Sequence, residues 1–170
     1  MSTLISLDLP IGNIGDLTTP TSTQQYKLGR IVTVQDVDTL SIKEFQYVCS
    51  TSGAVAGGAA VIEIGGVAGT EYHTKPAATL ASAVNRVCVF PAAITSGYFG
   101  FIQTKGKCTA VLTGTSLAVA PSNACYMANG GVTLVGSAAT TQGVNTAAFM
   151  VTATTGVTGS VILTGLAVEI

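Results

Sequence analysis

Residues 29–50 read GRIVTVQDVDTLSIKEFQYVCS, two β-prone runs with acidic residues between them. The first run, residues 29–35, is rich in β-branched side chains, which favour strands. It ends at Asp36 and Asp38, whose side chains readily cap their own backbone, so we interpret them as turn residues rather than as paired catalytic carboxylates. Residues 39–50 resume the strand pattern, and the whole stretch predicts a β-hairpin. One side of its second strand carries Leu40, Ile42 and Glu44.

The rest of the chain continues in short strand-like segments separated by Gly-rich turns. We expect strands at residues 59–64, 84–90, 98–104, 107–113, 123–127, 132–135, 145–153 and 160–168. Asn129-Gly130-Gly131 predicts a tight hairpin turn, because Asn-Gly supplies the positive φ angles of a type I′ turn. Residues 65–79 are expected to form the largest loop, and a short helix near residues 79–85 is the main alternative to strand. About seven to ten strands without a long helix predict an all-β fold, a compact β-sandwich or barrel.

The N-terminal residues 1–25 are predicted to form an extended arm in front of a β-domain at residues 26–170. Pro10, Gly12 and Pro20 interrupt this segment, which makes a regular helix or a core strand unfavourable there. The arm nevertheless carries many apolar residues: Leu4, Ile5, Leu7, Leu9, Ile11, Ile14 and Leu17. We expect these side chains to contact a partner surface, and a frayed terminus is the alternative.

Ionisable side chains are scarce along the whole chain. Charged residues make up 9% of the sequence, the net charge is -1 and the mean hydropathy is +0.57, whereas typical soluble domains are about 25% charged. Residues 108–168 contain no Asp, Glu, Lys, Arg or His. So weak a charge gives little repulsion between copies, and we expect the chain to self-associate. The basic residues are scattered rather than clustered, so no nucleic acid partner is expected.

No secretion or membrane signal is evident in the sequence. The first ten residues lack a basic segment, and Asp8 and Pro10 break their apolar run, so we expect maturation in the cytoplasm. A membrane-spanning helix needs about 18 or more consecutive apolar residues. Every apolar run here is interrupted after a few positions by Thr, Ser, Gly or Asn, and no membrane partner is expected.

Candidate chemistry is equally sparse. His73 is the only histidine, and Glu71 would lie on the same face of a strand, but a metal site needs a third ligand that the sequence does not indicate. The glycine-rich residues 53–58 lack the Lys-Ser/Thr ending of a phosphate-binding loop. We therefore expect no metal, no cofactor and no catalytic residue.

The cysteines share no CxxC spacing, so we interpret them as small buried hydrophobic residues. They are Cys49, Cys88, Cys108 and Cys125. Spacing alone leaves disulfide pairing open. An enzyme with a Cys nucleophile is kept as an alternative hypothesis, and it would need one of these thiols beside His73 with its thiolate stabilised.

Residues 83–135 carry a pattern that resembles a known family. The matching segments are NRV at residues 85–87 and GYFGFIQ at residues 97–103, followed by an Ala/Val-rich strand and a Gly-Gly-Val return. In these features the chain resembles the capsid decoration, or cement, proteins of tailed bacteriophages, particularly the group with a β-tulip-like domain. Residues 29–47 resemble the opening hairpin of that family. Ser122-Asn123 departs from the pattern, because relatives often carry Gly-Asp there.

The resemblance implies a homotrimer on the outer surface of the expanded phage head. There it would bridge neighbouring capsomers, so its partners would be further copies of itself and the major capsid protein, and its location the virion surface. The arm would lie along the shell or a neighbouring subunit, and uncharged strand faces would pack about the trimer axis. A tail, fibre or other virion adhesion module is the alternative hypothesis.

Overall fold

The fold consists almost entirely of strands. The computed structural model describes residues 4–6, 14–38, 40–63, 72–75, 85–113, 124–127, 134–136, 148–150, 158–165 and 167–168. Its strands are β1 (Leu4–Ser6), β2 (Ile31–Asp36), β3 (Ser41–Ser50), β4 (Ala59–Glu63), β5 (His73–Lys75), β6 (Asn85–Val89), β7 (Phe99–Thr113), β8 (Ala124–Met127), β9 (Leu134–Gly136), β10 (Ala148–Met150), β11 (Thr158–Thr164) and β12 (Ala167–Val168). Within the described ranges the helical content is one short 3-10 helix, Ile14–Thr18. The all-β prediction is confirmed.

Five of the strands close into a barrel. β3 pairs in parallel with β5, and β5, β4, β6 and β7 follow in antiparallel order. β7 then pairs with β3, from Glu44 opposite Lys105 to Cys49 opposite Phe99, which closes the ring. Closure pairs the backbone N–H and C=O groups that would be left exposed at the edge of an open sheet. Of the two predicted architectures, sandwich and barrel, the barrel is observed.

A second closed ring shares β7 with the first. β7 pairs with β11, β11 with β10, β10 with β8, β8 with β9, and β9 returns in parallel to Leu112 and Thr113 at the end of β7. The first half of β7 therefore belongs to one ring and the second half to the other. At 15 residues β7 is the longest strand described, and it holds the two rings together.

The hairpin predicted at residues 29–50 is confirmed. β2 and β3 pair antiparallel, from Ile31 opposite Gln46 to Asp36 opposite Ser41. Asp36 accepts a hydrogen bond from the backbone N–H of Asp38 at 3.2 Å, as expected of a turn residue. The strand expected at residues 59–64 corresponds to β4.

The two strands predicted at residues 98–104 and 107–113 are in fact one, and this prediction was wrong. Lys105-Gly106-Lys107 looked like a break because glycine often interrupts a strand. Gly106 instead continues β7 with a φ of +90°, which glycine adopts without steric cost. A β-bulge beside it, where the register of β3 against β7 shifts between Glu44 and Phe45, accommodates the bend.

The last predicted strand, residues 160–168, is divided in two. β11 ends at Thr164, Gly165 adopts a φ of +71°, and β12 pairs with β6. The chain thus leaves the second ring and returns to the first. The strands expected at residues 84–90 and 123–127 are found as β6 and β8.

Two predicted features lie outside the described residues. They are the turn Asn129-Gly130-Gly131 and the short helix near residues 79–85, of which only Asn85 is described, in β6. β8 and β9 pair antiparallel on either side of the predicted turn, with Met127 opposite Leu134. Of the loop expected at residues 65–79, residues 72–75 are described and contain β5.

Residues 45–48 of β3 and residues 100–104 of β7 are buried on both faces, and each face packs in its own apolar cluster. One cluster lies among the strands of the first barrel: Val48, Ala60, Ile62, Cys88, Phe90, Ile94 and Ile102. The other lies between the β2–β3 hairpin, β7 and the 3-10 helix: Leu17, Val32, Val34, Phe45, Tyr47 and Phe101. Neighbouring residues of one strand point to opposite faces, so Tyr47 and Val48 enter different clusters.

Gly106 provides a test of this architecture. A Cβ there would meet the backbone carbonyl oxygen of Ile42, whereas a Cβ at Gly97, whose φ is +80°, would meet nothing within 4 Å. Both Gly→Ala substitutions place alanine in the left-handed region, but only Gly106→Ala also forces the backbones of β3 and β7 apart. We expect Gly106→Ala to lower the free energy of unfolding by roughly 1–3 kcal/mol more than Gly97→Ala, measured by urea denaturation. Equal losses would contradict the close approach of the two strands.

Candidate interaction surface

The arm is attached to the barrel of its own chain at the points that the structure describes. Leu4 and Ile5 belong to β1, which pairs antiparallel with β2 and forms the end of the sheet. Ile14 begins the 3-10 helix. Leu7, Leu9 and Ile11 lie outside the described residues. The boundary predicted between residues 25 and 26 stays a prediction.

Leu17 has a different environment from the one expected of a partner-contact residue. Its side chain is 1% exposed and packs in the cluster with Phe45 and Tyr47. Further along the arm, Thr21 forms an antiparallel bridge with Phe99, at 2.9 Å in both backbone hydrogen bonds. Leu17 is therefore an anchor of the arm in the core of its own chain, and its side chain is not available to a shell.

Exposed apolar side chains lie instead on the barrel. Ile42 of β3 and Ile162 of β11 are 54% and 46% exposed. They face a common groove of about 420 Å³ where the two rings meet. We call this the isoleucine groove, lined by Ser41, Ile42, Lys105, Gly106, Lys107, Ile162 and Leu163. It is formed by three strands that are distant in sequence.

Leu40, in the turn before β3, is a further exposed apolar residue. Its side chain is 73% exposed, and its φ of 52° lies in the left-handed region that leucine rarely adopts. Residues held in such conformations concentrate at functional sites. An exposed leucine in a strained turn, two residues from Ile42, marks this end of the barrel as a candidate contact surface.

Two ion pairs occupy positions close to the groove. Lys43 Nζ lies 2.8 Å from Asp36 Oδ2, and Asp36 is almost fully buried. Arg86 lies 3.1 Å from Glu44 Oε1, which also accepts a hydrogen bond from Thr104 Oγ1 at 3.0 Å. Burying a charge is costly unless it is paired and hydrogen-bonded. The Asp36–Lys43 pair therefore serves the interior of the fold, whereas the side chains of Arg86 and Glu44 are 23% and 26% exposed.

A cleft of about 440 Å³ is lined by Cys108, Lys43 and Asp36 among others. Burial raises the pKa of the Cys108 thiol to about 12, although nearby Lys43 lowers it in part. Burial also raises the pKa of Cys88 far above its ordinary value. Both thiols are protonated at neutral pH, whereas nucleophilic cysteines need an accessible thiolate.

The structure does not bring His73 into a metal-binding cluster. His73 begins β5, opposite Cys49 in the parallel pairing with β3. Across the described ranges no three His, Cys, Asp or Glu side chains are close enough to hold a metal ion. Cys49, Cys88 and Cys108 are free thiols, and Cys125 lies in β8. No helix in the part of the chain that the structure describes is long and apolar enough to cross a membrane.

Comparisons of the chain with protein-family models, with curated proteins and with solved structures gave no match. The resemblance to phage cement proteins therefore stays a prediction, based on the residues quoted for it.

The isoleucine groove was missed in the sequence because its residues come from distant strands. A local signal existed in β11, where Ile162 stands between Val161 and Leu163. Strand alternation places those two valine and leucine side chains on one face and Ile162 on the other. Val161 and Leu163 are buried, so Ile162 faces outward. In the sequence, Lys105 and Lys107 give no sign of an apolar neighbour. The pairing of β7 with β11 places Lys107 opposite Ile162.

The buried thiols predict how stability depends on pH. Their pKa values are raised in the folded protein above the ordinary 9.0, so above about pH 9 the unfolded chain loses protons that the folded protein retains. The unfolded state then binds fewer protons, and the free energy of unfolding falls with rising pH, by up to about 1.4 kcal/mol per pH unit for each thiol. Urea denaturation with a reductant, between about pH 8 and pH 10.5, should show that Cys88→Ala reduces this slope.

Val89→Ala is the matched control for that experiment. Val89 is also buried and follows Cys88 in β6. Its truncation lowers stability without removing a titrating group, so the slope should stay that of the wild type. An unchanged slope in Cys88→Ala would contradict a buried, protonated thiol at that position.

Proposed function

We propose that this chain is a capsid decoration protein that binds the outside of an expanded bacteriophage head as a homotrimer and stabilises the junctions between capsomers. The observation that carries the proposal is the pair of exposed isoleucines, Ile42 and Ile162, that line one groove on a barrel with very few charges. Exposed apolar side chains that lie together indicate a contact surface. The resemblance of residues 83–135 to cement proteins supports the same function.

The physical basis of such a function is differential binding. A protein that binds the assembled lattice more tightly than separate capsomers stabilises the lattice by the difference in binding free energy. It needs contact surfaces and a rigid body, but no cofactor and no catalytic group. A doubly closed barrel is rigid because its strands have partners around both rings. The partners in this proposal are further copies of the chain and the major capsid protein, and its location is the virion.

The test is binding to heads by the full chain. Sedimentation equilibrium is expected to give three times the chain mass of 17.0 kDa. The trimer should cosediment with expanded empty heads assembled from the capsid protein of the same genome, bind compact proheads less, and raise the temperature at which expanded heads disassemble. A stable monomer that binds no head would contradict the proposal. Binding to host cells but not to heads would favour a tail or fibre adhesion module.

The arm makes a separate prediction. Deleting residues 1–13 removes β1 but keeps Leu17 and the 3-10 helix, so the barrel should still fold. If the arm contacts the shell, the deletion weakens head binding by at least about tenfold, equivalent to about 1.4 kcal/mol. The matched control is Leu17→Ala in the full chain. This core truncation should lower the free energy of unfolding by about 2–5 kcal/mol and leave head binding by the folded protein unchanged. Unaltered binding after the deletion would exclude the arm as a shell contact.

A further inference from the structure

The isoleucine groove combines apolar and cationic side chains in a fixed arrangement. In β11, Ile162 lies opposite Lys107 and Leu163 lies opposite Gly106. Because residues opposite each other in a sheet share a face, Ile162 and Lys107 both face outward. Ile42 reaches the same groove from β3. Two half-exposed isoleucines thus lie beside two lysines.

These lysines differ from most of the other basic residues whose side chains the structure describes. Lys43 and Arg86 are paired with carboxylates, and Arg30 lies over the ring of Tyr26 at 4.9 Å. Lys105 and Lys107 form no ion pair within the described part of the chain. An exposed lysine elsewhere, Lys27, precedes β2 at the opposite end of the hairpin from the turn. Among the side chains that the structure describes, two lysines without an ion pair lie next to exposed apolar side chains only at the groove.

The side chain of Lys105 is partly ordered by its neighbour. Gly165 has a φ of +71°, and a Cβ there would lie 3.3 Å from the Cβ, Cγ and Cδ atoms of Lys105. The methylene groups of Lys105 therefore lie against the backbone of Gly165. Immobilising a long side chain costs conformational entropy on binding. Because the Lys105 side chain is already restricted in the free protein, it loses less conformational entropy when a partner binds.

We infer that the isoleucine groove binds an acidic, apolar segment of the shell protein, in which a carboxylate lies close to aliphatic side chains. The inference rests on the proposed function and specifies the contact surface. Charge complementarity carries it, because apolar side chains would cover Ile42 and Ile162 while the carboxylate pairs with Lys105 or Lys107. Such charges add specificity and speed of association to the apolar contact.

A second copy of the chain fits this groove less well. The carboxylates of known side-chain environment already have partners: Asp16 binds the Tyr26 hydroxyl, Asp36 binds Lys43, Glu44 binds Arg86, and Asp38 also has a partner. Residues 108–168 contribute no carboxylate at all. We therefore assign the groove to the shell protein, and contact between copies of the chain is one outcome of the test below.

Charge reversal tests the inference. Lys105→Glu is compared with Lys27→Glu, which makes the same change of charge at an exposed site away from the groove. Ile162→Ser is compared with Val55→Ser, since Val55 is 64% exposed in the loop between β3 and β4 and does not line the groove. Cosedimentation with expanded heads should be weakened at least about tenfold by each groove substitution and little by each control. Wild-type binding should also weaken as salt is raised, and Lys105→Glu should reduce that dependence.

Each outcome separates this inference from the proposed function. If the wild type binds no head, the decoration function fails. If the wild type binds and all four variants bind equally well, the function stands and the groove is excluded as its contact. Sedimentation velocity of the free variants completes the test. Dissociation of the oligomer by the groove substitutions would assign the groove to contact between copies and overturn the inference.

Discussion

Hydrogen bonding along β7 is the constraint on which the rest of the structure depends. Its 15 residues span about 50 Å, and its partners change along its length from β3 and β6 to β11 and β9. Each change of partner must leave few backbone groups unpaired, because unpaired buried groups are costly. Gly106 lies at the change. Its positive φ lets β7 continue where a larger residue would collide with β3.

The junction of the two rings also explains where polar groups are found. Residues 45–48 of β3 and 100–104 of β7 are buried on both faces, and the charged side chains of the two strands lie outside these stretches. Glu44 and Arg86 are paired there, and Asp36 and Lys43 are paired near the turn. A chain with few charges thus uses several of them inside the fold. Lys105 and Lys107, at the groove between the rings, differ from these residues because neither forms an ion pair within the described part of the chain.

The sequence predicted what depends on local chemistry. Turn-forming aspartates and alternating β-branched residues were sufficient for the β2–β3 hairpin, and Gly-rich spacing was sufficient for an all-β fold. The continuity of β7, the core position of Leu17 and the groove all depend on pairings between distant segments. Gly106 shows the difference, because a glycine that interrupts a strand and one that lets it bend look alike in sequence. Only the close approach of Ile42 distinguishes them.

Weak contacts are consistent with the proposed function because of its symmetry. One groove with two isoleucines and two lysines offers a small contact, and exposed ion pairs contribute only about 0–1 kcal/mol each. In the proposed trimer, three grooves would act together on a lattice that presents three matching segments, and such multivalency strengthens binding by about 10²–10⁴ without any new contact. A separate capsomer would engage fewer grooves and bind weakly. On this proposal, the trimer would prefer the expanded shell because only there does the spacing of the shell segments match the three grooves. Each groove need not distinguish one conformation of the shell protein from another.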